Sequence, residues 1–104
     1  MPGVDILPRF GKAARVEDTM LMDQIRQKPC LICHASPVEV HHLKTRGSFG
    51  SDVVWNLIPA CRSCHTLFHK KGISFMADKF IHFKEWLVKN NWEYNELMQK
   101  WTHV

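Results

Sequence analysis

Residues 29–72 read PCLICHASPVEVHHLKTRGSFGSDVVWNLIPACRSCHTLFHKKG. Two cysteine pairs frame the stretch: Cys30-x2-Cys33 and Cys61-x2-Cys64, with 27 residues between them. A Cys-x2-Cys turn points two thiolates at one metal, and two such turns complete a tetrahedron with Zn–S bonds of about 2.3 Å. Four thiolates leave no coordination position open, so zinc held by Cys30, Cys33, Cys61 and Cys64 is expected to be structural. It would tie the start of the segment to the start of its last helix. Disulfides or unrelated buried thiols are the competing readings. The opening MPGVDILPRF lacks a cationic start followed by an apolar run, so no signal peptide is expected. A cytoplasmic setting follows, where thiols stay reduced and paired cysteines hold metal more often than they cross-link.

Between the cysteine pairs lie His41, His42 and Asn56, and His65 and His69 follow the second pair. VEVHHL alternates like a strand, and adjacent strand residues point to opposite faces, so His41 and His42 are expected to do different work. His65 and His69 are four apart in a predicted helix and share a face. Two imidazoles at that spacing can hold one metal, and a strand histidine can add a third ligand. Three protein ligands leave positions open, which is the mark of a catalytic rather than a structural site. The other histidine of the pair is then left to move a proton near neutral pH. His34, His82 and His103 stand outside this spacing and are read as ordinary polar groups.

The rest of the chain bounds the answer. Its 104 residues suffice for one domain with a modest core, which a metal would help to staple. Apolar content of 45% and charged content of 23% fit a globular protein and not a disordered one. A net charge of +4 leans toward a polyanionic partner. No segment has the length of a membrane span. Residues 1–28 read as an irregular arm and then a helix, capped by Asp18 or Thr19 and ended by Pro29. The core segment is 29–72, with an extended VVWNLIPA turning at Pro59 and a short helix stopped by Gly72. Residues 73–104 read as C-terminal helices: an amphipathic one over ISFMADKFIHFKEWLVKNN, which Ser74 could cap, and a short one over WEYNELMQKWTHV.

The run VHHL…WNLIPACRSCHTLFH resembles the HNH endonucleases of the ββα-metal superfamily, specifically phage- and bacterium-type members with zinc knuckles. The resemblance implies an α+β fold: a small ββα-metal (His-Me finger) core with a knuckle pair and flanking helices. It implies His41 and His65 as ligands of a catalytic divalent metal, His42 as general base and Asn56 as the residue that orients it, expected to act through hydrogen bonds to backbone near His42. His69 matches the third metal-binding histidine of the colicin DNase branch. Many family members carry aspartate where this chain has His41. The implied reaction is hydrolysis of a DNA phosphodiester, most naturally in duplex DNA, with RNA also open because the chemistry does not need a 2′-hydroxyl. An all-imidazole site suits Zn, Ni, Co or Mn better than Mg, which prefers oxygen ligands.

Lys44 and Arg46 follow the base and are candidate phosphate contacts, with Lys70 and Lys71 at the helix end as further ones. Pairing of two chains through the C-terminal helices would bring two sites together. The contrasting reading is a non-catalytic zinc-knuckle module that binds nucleic acid or protein. Such a module needs the cysteines but has no use for both His42 and Asn56.

Overall fold

The computed structural model describes residues 16–48 and 50–104; the arm read over 1–16 therefore lies almost wholly outside the described residues. Helix α1 spans Thr19–Arg26 and is capped by Asp18, whose Oδ1 accepts from the Leu21 backbone N–H at 2.9 Å. Such a cap contributes about 1 kcal/mol. Met22 and Ile25, one turn apart, form the buried face of α1 and pack on Leu57.

Strand β1 (Glu39–His42) pairs antiparallel with β2 (Leu57–Ala60), with Glu39 opposite Ala60 and His42 opposite Leu57. Every residue of β2 is buried. Pro59 therefore lies inside the strand and not at a turn, and the residues before it, Val54–Asn56, form a short 3-10 turn instead of an extended run. The proline is tolerated because its carbonyl still accepts from the Leu31 N–H at 2.9 Å.

Helix α2 runs Arg62–Lys79 but contains a kink at Gly72, whose φ of 83° and ψ of 172° are not helical. Gly72 thus stops the first helical run, as expected, and a second run follows it to Lys79. The long amphipathic helix expected beyond it is divided at Phe80, where φ is −122°, and α3 occupies Ile81–Lys89. Phe83 and Leu87 of α3 are completely buried beside Met76, Ala77 and Phe68 of α2. Full burial of a side chain the size of Phe83 contributes about 3 kcal/mol.

The last element differs from expectation. Residues 92–103 form a hairpin and not a helix: β3 (Trp92–Asn95) pairs with β4 (Lys100–His103). The turn is made by left-handed backbone at Gln99, with φ of 54°, and entry to β3 by Asn91, with φ of 68°. The hairpin is anchored on the core segment. Trp92 Nε1 donates to the Trp55 carbonyl at 2.7 Å, and His103 stacks on Trp55 with ring centroids 3.7 Å apart. It therefore props the 3-10 turn that delivers Asn56. The fold is α+β, with three α-helices and two small antiparallel sheets among the described residues.

One glycine is fixed by a close approach. A Cβ on Gly50 would lie 1.6 Å from the Lys44 carbonyl oxygen and 2.8 Å from that of Thr45. Both neighbours are backbone, so the loop itself must move. Gly50→Ala is expected to destabilise the protein by about 3 kcal/mol or more, read as a lower midpoint in urea with an unchanged slope.

Candidate metal centre and nucleic-acid cleft

The four cysteines converge as two knuckles. Their sulfur atoms all lie within 4.8 Å of one another, and none forms a disulfide. Cys33 and Cys61 Sγ are 3.6 Å apart, close to the edge of about 3.8 Å expected for a ZnS4 tetrahedron. The Cys33 N–H approaches Cys30 Sγ at 3.5 Å, and Cys61 is the N-cap residue of α2. Burial pushes the Cys30 thiol up, but the backbone N–H groups of Cys33, Cys61 and Ile32 outweigh it and bring the value to about 7. Burial, then the crowding of Cys61 and Cys30, pushes Cys64 up. A divalent cation removes that conflict, because a coordinated thiol is held deprotonated.

The second cluster joins β1 to α2. Ring nitrogens of His41, His65 and His69 all lie within 4.8 Å of one another. His41 is 5% exposed and stacks on Phe68 at 4.7 Å. Its Nδ1 is buried with no hydrogen-bond partner among the described residues. Nε2 of His65 and Nε2 of His69 face each other at 3.0 Å. Two such nitrogens can share only one proton, whereas a tetrahedral ion with N ligands at about 2.0–2.1 Å places them about 3.3 Å apart and satisfies both. The residues present therefore fit a divalent metal. Glu39 lies two residues before His41 on β1, and its Oε1 is 2.9 Å from His65 Nδ1 at ion-pair distance, though not aligned as a hydrogen bond. The other oxygen, Oε2, pairs with Arg62 at 3.0 Å. A carboxylate behind a ligating imidazole orients the ring and raises its basicity. Glu39 was not singled out from sequence, although its alternation with His41 in VEVHH places both on one strand face.

His41 is held neutral. Burial, followed by the nearby His65, His69 and His42 rings, lowers its pKa from 6.5 to about 3. A neutral imidazole is the metal-binding form. The linkage sign follows: an unfolded chain binds this proton more readily, so the stability is full above about pH 6.5 and is lost as the pH falls toward 3. Between pH 6.5 and pH 5 the metal-free His cluster should cost about 2 kcal/mol of folding stability through this one group. Urea titrations at the two pH values check it, and His41→Phe should remove that part of the slope.

Asn56 is completely buried and fully bonded. Its Oδ1 accepts from the Lys44 N–H at 2.7 Å, and its Nδ2 donates to the carbonyls of Lys44 and Ser51, both at 3.0 Å. It closes the loop between β1 and β2 and touches the backbone two residues beyond His42, not the His42 ring. The ring contact is made by Asp52, which sequence reasoning missed: its Oδ1 lies 2.7 Å from His42 Nε2. No periodicity marks Asp52 in the loop, so nothing in the sequence pattern pointed to it.

A cleft of about 630 Å³ gathers His41, His42, His65 and His69 with Arg46 and Arg26. Arg46 is exposed, and its guanidinium rests on Met22 Sδ at 3.7 Å. Lys44 is also exposed but borders a different depression, lined by Trp55, Trp101 and Lys100. Lys70 and Lys71 are exposed on α2, and Lys71 Nζ sits 5.4 Å above the Phe75 ring. Arg26, on α1, was not anticipated as a cleft residue. His82 is exposed beside Glu85, and His34 is exposed with left-handed backbone.

Residues 29–71 match the family model described as HNH endonuclease. This stretch is similar to the HNH family. The match spans both knuckles, β1, β2 and the first part of α2, so the matched segment contains all seven residues of the two candidate metal clusters. No curated protein and no solved structure matches the chain. Among the described residues, no helix is long and apolar enough to cross a membrane.

Proposed function

We propose that the protein is a metal-dependent HNH endonuclease that hydrolyses DNA phosphodiester bonds. The observation that supports this most strongly is the convergence of His41, His65 and His69 beside a cleft that His42 also borders. His41, His65 and His69 would hold a divalent ion, and the cysteine quartet a structural zinc. Bound there, such an ion would supply positive charge that offsets the negative charge developing on the phosphate and its leaving group. His42 takes the proton from the attacking water. A bond forms between that oxygen and phosphorus, and the bond from phosphorus to the 3′ oxygen breaks. The products are a 5′-phosphate and a 3′-hydroxyl, the latter protonated from solvent. Arg46 and Arg26 place positive charge along the cleft, where backbone phosphates would lie. Asn56 keeps the loop after His42 in one conformation by bonding Lys44 and Ser51. Lys44, on the other side of that loop, would meet phosphate only if the strand passes over it.

Plasmid nicking tests the reading, with Mn, Ni, Co, Zn and Mg supplied in turn to protein loaded with structural zinc. Cleavage should be fastest with a transition metal, given the all-imidazole donor set. A protein that binds DNA but cuts neither DNA nor RNA with any of these ions is the zinc-knuckle module instead.

A further inference from the structure

Asp52 is only 3% exposed, and both of its carboxylate oxygens are committed. Oδ1 sits 2.7 Å from His42 Nε2, and Oδ2 accepts from the Asp18 backbone N–H at 2.9 Å. Its own N–H donates to the Val16 carbonyl at 2.8 Å. The carboxylate is thus gripped by the segment that starts α1 and presented to one chosen nitrogen of one imidazole. A carboxylate is an acceptor only, so the ring nitrogen facing it must carry the proton.

We propose that Asp52 is the positioning residue of the general base: it accepts the His42 Nε2 proton and so leaves the Nδ1 lone pair to receive the proton of the attacking water. The inference rests on the reading of His42 as base and adds the tautomer and its cause. The proton balance is simple. Water gives one proton to Nδ1, the resulting oxygen attacks phosphorus, and Asp52 keeps its charge throughout, next to the imidazolium that forms. Orientation and charge come from the same contact, as in other histidine–carboxylate pairs. Asn56 fixes the loop, and Asp52 fixes the ring. Because Oδ2 is held by Asp18, helix α1 belongs to the active-site scaffold even though it lies outside the HNH match.

Two measurements test this. The first is a long-range 1H–15N correlation spectrum of the wild-type, zinc-loaded protein, with His42→Gln used to assign the ring. The expected pattern is a protonated Nε2 and an unprotonated Nδ1. A ring protonated on Nδ1 overturns the proposal, and this readout needs no Asp52 variant to fold. The second is steady-state cleavage by Asp52→Asn and Asp52→Ala, normalised to folded, zinc-containing protein. Turnover should fall roughly 10- to 100-fold while KM for plasmid stays within about threefold. The Asn variant, which keeps an oxygen acceptor, should lose less than the Ala variant. Unchanged turnover in folded Asp52→Ala overturns the proposal. Failure of the nuclease reading is distinguishable, since it shows as an inert wild-type protein.

Discussion

Stripping the cysteine site of its metal, or replacing Cys64 with alanine, is expected to unfold the segment 29–71. The site joins the 30–33 turn to the junction of β2 and α2, alongside the Leu31 N–H bond to the Pro59 carbonyl. The apolar cluster around it is small, with Cys30, Ala60 and Cys64 as its buried members. The larger core lies elsewhere, around Phe83, Met76 and Leu87. A structural zinc site contributes about 10–16 kcal/mol of binding free energy near pH 7, which matches or exceeds the whole stability of a small domain, about 5–15 kcal/mol. Chelation at pH 7 should therefore abolish the cooperative thermal transition, and stoichiometric zinc should restore it. The metal-dependent stabilisation shrinks on acidification, because protons compete for the thiolates. A chelated protein with an unaltered melting curve would show that the quartet is not a metal site.

The second large effect is kinetic. His42→Ala should lower kcat by about 10²–10⁴-fold while leaving DNA affinity and zinc content unchanged. His42 is not among the three histidines that cluster for a metal, and its side chain is 10% exposed at the cleft. In the proposed mechanism, removing it deletes the proton acceptor without touching the charge that would hold the phosphate. His65→Ala should behave differently. It breaks the facing pair with His69 and should weaken metal affinity, so that part of the lost activity returns at high metal concentration. The contrast between the two variants separates proton transfer from charge stabilisation.

Much of this centre was legible because its chemistry is written in spacing. Cys-x2-Cys pairs, a histidine doublet in an alternating strand and histidines one helical turn apart each fix a geometry before any fold is known. The Asp18 cap was readable for the same reason: it is a local hydrogen bond. What escaped depends on longer-range contact. Asp52 reaches His42 only because the loop folds back on Asn56 and α1 comes to meet it. The C-terminal hairpin was masked by Glu96, Leu97, Met98 and Gln99, good helix formers that lie in the turn region, while Leu97 stays 98% exposed. The stronger signal was the short alternation of Trp92 with Tyr94 and the docking of Trp92 and His103 on Trp55, which tertiary packing rewards and propensity does not register. The break at Phe80 is similar, since its residues are helix-compatible on both sides.

The division of labour between neighbouring histidines is tested most directly by anomalous diffraction from crystals soaked in a manganese salt. The account predicts one peak within about 2.0–2.3 Å of ring nitrogens of His41, His65 and His69, with His42 unligated and still bonded to Asp52. A peak coordinated by His42, or no ion at the three-histidine cluster at saturating metal, would contradict it.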